Sequence, residues 1–283
     1  MSSKTNYTQG YSQATQATHA SRTVDSDASF LVPHIRPTHH ILDVGCGPGT
    51  ITVGFAGLIS SQGSVTGVDI SETVLEKAKQ AVASSSIVTE GKQVTFLQAD
   101  LLSHDGLPFK DATFDVVFSS QLFPHLSTHD MRIQALAEMR RVLKPGGILA
   151  TRDAAHLHFY PQPPAVPARY DLNQLWAGNM LRSLGTRHLP GGDMPCLFYQ
   201  VGFNVDKVKI GAGTTAYTDE KARRWFAEAS KARLEQGETF RQSWLEVGIT
   251  DQEIEDTKVA LDIWAALDGA WYVAVQADIL GWK

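Results

Sequence analysis

Residues 41 to 50, ILDVGCGPGT, run from an apolar segment through an acid into three glycines spaced two apart. No other stretch limits the fold as much. Bare backbone at the end of a strand lets the chain turn sharply, and lets a ligand approach where a Cβ would collide. Around it, strand-like and helix-like segments alternate, the pattern of a parallel sheet with helices on its faces. HHILDVGC, SVTGVDI, VTFLQAD, FDVVFSS and GILATRD read as five strands. The helices between them cover about 50 to 60, SETVLEKAKQAVA, where Ser71 can cap, and DMRIQALAEMRRVL, which ends at KPGG. The fold class is therefore α/β, a doubly wound sheet. Its ligands bind outside the carboxyl ends of the strands.

Beyond the fifth strand the pattern loosens. Residues 161 to 167 are proline-rich and read as a linker or lid. YDLNQLWAGNMLRSL, 218 to 235 and 251 to 267 read as helices, and FNVDKVKIGAGTTAY and WYVAVQADIL as two more strands. Aromatic side chains concentrate here, Trp176, Trp225, Phe226 and Trp244 among them. Most belong to a core, and a minority is expected to wall an apolar pocket for a small organic molecule.

The glycine loop is the link to chemistry. Its spacing is G-x-G-x-G after Asp43, whereas phosphate-binding dinucleotide loops want G-x-G-x-x-G. An acid aimed into the loop suits an ammonium group better than a pyrophosphate, which favours a nucleoside bearing an amino-acid tail. Asp69 ends the second strand, where a carboxylate can accept from both ribose hydroxyls. Asp100 ends the third, in reach of an adenine amino group, with Leu101 beside the ring. Aspartates often end strands or cap turns for local reasons. Three at consecutive strand ends beside the glycine loop form one constellation.

On these motifs the chain resembles class I S-adenosylmethionine-dependent methyltransferases, nearest to those of ubiquinone and menaquinone biosynthesis. The resemblance runs over about residues 20 to 153, through HASRTVDSDASFLVPHIRP, ILDVGCGPGT, VTGVDIS, LPFKDATFDVVFSS and EMRRVLKPGGILATRD. It implies S-adenosyl-L-methionine as cofactor, held by Asp43, Gly45, Cys46, Gly47, Asp69, Ile70, Asp100, Leu101 and Ser119, with Arg22 or His19 closing over the methionine end. It also implies a Rossmann-like seven-stranded sheet of order 3-2-1-4-5-7-6 whose last strand is antiparallel. The organisation expected is a helical lid over 1–37, the cofactor-binding core over 38–153, and a substrate lid, helical cap and two strands over 154–283. The cap before the final strand departs from the compact quinone enzymes, so ring methylation of quinones is not carried over.

Methyl transfer asks for alignment and exclusion of water, with a base only where the acceptor is a weak nucleophile. His125, just after the fourth strand, and His156, beyond the fifth, are the candidate catalytic residues, each set against a packing or solvated imidazole. His39 and His40 belong to the opposite edge. No metal is expected, since the fourth strand ends in Ser119-Ser120 and Asp153 is followed by Ala154, unlike the acid and Asp-Asn pattern of magnesium-dependent enzymes.

Composition bounds the partners. A net charge of −5 and a pI near 6.0 give no basic field for nucleic acid. No apolar run approaches the roughly 20 residues of a membrane span. Two cysteines fit a reducing compartment, and the first 24 residues carry too few bases for a transit peptide, so a cytoplasmic monomer or homodimer is expected. The reading is a methyltransferase of a small lipophilic or aromatic metabolite. The alternative is an enzyme that keeps the fold and cofactor but catalyses a cyclisation or pericyclic reaction.

Overall fold

A computed structural model describes residues 13–85 and 93–283. The first twelve residues of the expected lid lie outside the described residues, as does part of the segment weighed as a transit peptide. Seven strands, β1 His40–Val44, β2 Ser64–Asp69, β3 Gln93–Gln98, β4 Phe114–Ser120, β5 Leu143–Tyr160, β6 Val208–Tyr217 and β7 Trp271–Trp282, form one sheet of order β3-β2-β1-β4-β5-β7-β6. The first five are mutually parallel, and β7 runs antiparallel to both β5 and β6. The order and the reversed last strand are those that the resemblance implies.

The helices of the core are α1 Gln13–Ala20, α2 Val24–Asp27, α3 Thr50–Leu58, α4 Glu72–Ala83 and α5 His129–Val142. Those of the later half are α6 Asn179–Ser183, α7 Met194–Gln200, α8 Glu220–Arg233, α9 Thr239–Glu246 and α10 Asp251–Ala266. Ser71 caps α4 as expected, accepting from the Val74 N–H. Two short helices escape the sequence reading, α7 and α9, which follow Gly191-Gly192 and Gly237 and carry too little length to show a period.

The central strands are buried on both faces, so their residues alternate between two cores. Leu42, Val117 and Leu149 pack with Leu136 and Met139 of α5. Ile41, Val116, Phe118 and Ile148 pack with Phe55 of α3 and Leu31 of the N-terminal segment. A third core lies under the cap, where Phe159, Trp176, Phe240, Trp244, Trp264 and Tyr272 come together.

The fifth strand is the main surprise. It does not stop at Asp153 but continues to Tyr160, paired along its whole outer part with β7. His156 and His158 therefore stand within β5, not beyond it. The pairing slips at Ala155, so that Ala154 opposes Gln276 and His156 opposes Val275. One extra residue in one strand reverses which face every later side chain takes. Leu157 and Phe159 continue the face of Arg152 and Ala154, and His156, His158 and Tyr160 fall on the other.

A buried ion triad joins the lid to this sheet. Arg152 of β5 donates to Asp278 of β7 at 2.6 Å and lies 3.6 Å from Asp27 of α2. Gly213 of β6 makes the room, because a Cβ there would stand 2.2 Å from the arginine Nη1.

Candidate active site

At the carboxyl ends of β1, β2 and β3 the glycine loop opens a cavity. Gly45, Gly47 and Gly49 all have positive φ, at 71°, 53° and 79°, which L side chains adopt only with strain. Their space requirements differ. A Cβ on Gly47 would meet nothing within 4 Å, so this backbone borders the open cavity, whereas one on Gly49 would strike Ala78 of α4 at 2.7 Å. Gly47 thus faces open space, and Gly49 is required by packing.

The carboxylates brace the loop from below. Asp69 accepts from the Gly47 N–H through one oxygen and from the Ser71 N–H through the other, both at 3.0 Å. Burial raises its pKa, against the pull of those two donors. Asp43, 3% exposed, accepts from the Thr52 hydroxyl at 2.6 Å, and burial raises its pKa to about 7. The same burial, with Asp43 and Asp69 nearby, holds the Cys46 thiol protonated. Asp100 accepts from the Leu102 N–H at 2.9 Å with one oxygen, so the local turn and a place in the cavity wall coexist in one residue.

Of the residues expected to hold the cofactor, Asp43, Gly45, Cys46, Gly47, Asp69, Ile70, Asp100, Leu101 and Arg22 all line this cavity. Ser119 does not. It shares the face of Val117, is fully buried, and leaves the wall to its neighbour Ser120. Strand alternation explains the slip by one residue.

A second cavity of about 710 Å³ opens beside the first, between the outer parts of β5 to β7 and the cap helices. The two share His19, Arg22, Gln121 and His125. Gln121 stands directly after β4 with φ of 54°, a strained position for a non-glycine residue. Its side chain donates to Gln276 of β7 at 2.7 Å, its backbone N–H to the Arg152 carbonyl at 2.8 Å. The strain is held by a polar network at the floor where the cavities meet.

His125 ends a short 3-10 turn, Phe123–His125, that Asp153 fastens by accepting from the Phe123 N–H at 3.1 Å. Burial, then the nearby charges of Arg22 and Arg233, lower the imidazole to about 3. His19 of α1 is lowered well below its usual value by burial, Arg22, Arg233 and His125. Both rings are therefore neutral at physiological pH. Asp153 is fully buried and raised to about 7 by burial, against Arg22 and the backbone donors of the turn. His156 lines neither cavity: the slip in β5 turns it to the outer face, where it stacks on His158 at 6.0 Å. Gln276 and Arg233, which line the second cavity, carry no motif by which sequence reasoning could single them out.

Residues 41–147 match a family model described as a methyltransferase domain. Over 98% of its length the chain is 44% identical to the probable methyltransferase ltbC of Aspergillus luteorubrus, covering 97% of that protein. The chain is an S-adenosylmethionine-dependent methyltransferase. A demethylmenaquinone methyltransferase of Symbiobacterium thermophilum is 41% identical over 40% of this methyltransferase and 42% of its own length, which confines that likeness to part of the chain. The YcgJ protein from Bacillus subtilis shares the methyltransferase fold at a TM-score of 0.55 and 19% identity, over 90% of this chain and 97% of that one. Among the described residues, no helix is long and apolar enough to cross a membrane.

Proposed function

We propose that the methyltransferase acts on a small lipophilic or aromatic metabolite seated in the second cavity, without a metal. The observation that carries this reading is the junction: a roomy, aromatic-walled cavity meets the glycine-loop cavity at His19, Arg22, Gln121 and His125. The donor cavity fits its cofactor on this chain's own terms. Its backbone is open at Gly47, its acids stand at three successive strand ends, and Asp43 sits beneath the loop. Asp69 would take the ribose hydroxyls, Asp100 and Leu101 the adenine, and Asp43 the ammonium. When bound, S-adenosylmethionine supplies a methyl group already activated by its sulfonium.

What remains for the protein is alignment and dryness. His19 of α1 and Arg22 of the link to α2 line the junction, and the Asp27–Arg152 pair ties this segment to the sheet. His125 is neutral and accepts or donates a hydrogen bond at the acceptor. As a base it is weak: burial, Arg22 and Arg233 hold the imidazole far below the phenolic pKa of about 10. His125 is therefore read as a positioning group, and the charges of Arg22 and Arg233 that lower its pKa would also favour an ionised acceptor beside it.

No three His, Cys, Asp or Glu side chains among the described residues group as a metal site. The test is incubation with the donor and a panel of aromatic acceptors, following S-adenosylhomocysteine release and product mass, with and without EDTA. A product heavier by one methylene unit and indifferent to EDTA is expected. Turnover to a product of unchanged mass would overturn methyl transfer in favour of cyclisation, and a rate restored only by divalent cation would overturn metal independence.

A further inference from the structure

Two histidines that line neither cavity stand side by side on the far face of the sheet. His156 and His158 are two residues apart in β5, past the slip at Ala155, so both side chains leave the strand on the same side. Their rings lie nearly parallel, with 16° between planes and 6.0 Å between centroids. Tyr160 continues the row against His158 at 4.4 Å and stacks in turn on Trp271 of β7. The row is open to solvent, with His156 exposed and His158 half-buried. Val275 and Val273 of β7 are paired with the two histidines, and Thr214 and Ala216 of β6 lie beyond them, so these strands set no charge against the pair.

The nitrogens of this pair are open. Among the described residues neither ring makes a hydrogen bond or an ion pair. His39 and His40 are also neighbours in sequence, but His39 accepts from the Arg36 N–H at 3.2 Å and His40 is hydrogen-bonded to the Ser64 hydroxyl at 2.8 Å. His188 is held by Asp193 at 2.8 Å. Burial, and then the neighbouring His156, hold the His158 imidazole below its usual pKa, against a smaller pull from Asp171. It is thus neutral at physiological pH, the form in which an imidazole takes a metal. Two nitrogen ligands of one tetrahedral ion stand about 3.3 Å apart. The ring nitrogens project from their centroids, and rotation about the side-chain torsions of an exposed histidine closes the remaining gap with the strand left in place.

We propose that His156 and His158 form a chelating site for a transition-metal dication, Zn2+ or Cu2+, with water completing its coordination. Imidazole suits these ions and serves magnesium or calcium poorly. The site is separate from methyl transfer, because it lies on the face turned away from both cavities. With two protein ligands it holds the ion less tightly than a site that closes round it.

The experiment titrates ZnCl2 into the full chain by calorimetry in a buffer that does not bind metal, with Cys196→Ser removing the exposed thiol. One saturable site is expected, with Cu2+ bound more tightly and Mg2+ at least about a hundred-fold more weakly. H156A and H158A should each weaken zinc binding by about ten-fold or more. Both should keep the affinity for S-adenosylhomocysteine, which also reports that they are folded. With Cu2+, electron paramagnetic resonance should show couplings from two imidazole nitrogens in the parent and from one in either variant. The absence of saturable zinc binding overturns the proposal, and so does equal zinc affinity when both histidines are replaced. A loss of S-adenosylhomocysteine affinity on replacing either histidine also overturns it, since that would tie the pair to the glycine-loop cavity.

Discussion

The two cavities of this methyltransferase are built by opposite means. The glycine-loop cavity is made of backbone and short acids at the ends of β1, β2 and β3, each fixed by its place at a strand terminus. The second cavity is made of side chains from the N-terminal segment, β5 to β7, the π-helical turn Asn173–Gly178 and α8, segments spread over most of the chain. Backbone geometry admits few solutions, whereas a wall of side chains can be rebuilt one residue at a time. The first half should therefore be intolerant and chemically fixed, and the second adaptable.

The largest effect is expected where the halves are joined. Arg152→Met leaves Asp27 and Asp278 buried together without their cation, and removing one partner of such a group costs about 3–5 kcal/mol. Chemical denaturation should show that loss. A variant as stable as the parent would mean that the lid is not held through the sheet.

A smaller effect is confined to the donor half. Asp69→Ala removes the acceptor of the Gly47 N–H as well as the ribose partner, and should weaken S-adenosylhomocysteine binding by about 1.5–3 kcal/mol. The ranking of acceptors should not change, and a changed ranking would break the division between halves.

Donor affinity should also depend on pH through Asp43. Its pKa stands at about 7 because burial disfavours the carboxylate, and only the carboxylate attracts the ammonium. The attraction is thus present above about pH 7 and lost as pH falls through it. Calorimetry should find S-adenosylhomocysteine bound about ten-fold more weakly at pH 6 than at pH 8, and D43N should flatten the curve.

The smallest effect belongs to His125. With the imidazole neutral throughout the working range, His125→Ala should slow turnover by no more than about ten-fold, chiefly in the acceptor KM. The shape of the pH–rate profile should stay the same. A 100-fold loss in kcat together with a vanished limb would restore the general base.

The same contrast explains what could be read beforehand. Strand ends are marked by acids and glycines that have few other reasons to be there, so Asp43, Asp69, Asp100 and the loop were legible without coordinates. Ser119 missed its cavity by one residue because alternation fixes a face only once the strand's phase is known. His156 missed by a bulge: at Ala155 the pairing of β5 slips, and a period of two carried through RDAAHLHFY puts every later side chain on the wrong face. Gln121, whose strained φ comes from tertiary pairing with Arg152 and Gln276, gives no local signal. Arg233 looks in sequence like any cation near a helix end, and only the packing of α8 over Phe240 and Trp176 reveals it as a buried charge.

The Asp27–Arg152–Asp278 triad also sets an order of events during synthesis. Asp27 leaves the ribosome early, and its partner Arg152 emerges with β5, but Asp278 arrives only with β7, which inserts between β5 and β6. Until then Arg152 lacks its closest carboxylate, and α2 has only its packing on α3 and its longer pair with Arg152. Chains that fold as they are made usually settle their beginnings first. Here the beginning has to wait for the seventh strand, so a nascent chain halted before β7 should leave its lid open to protease while its first four strands are already protected.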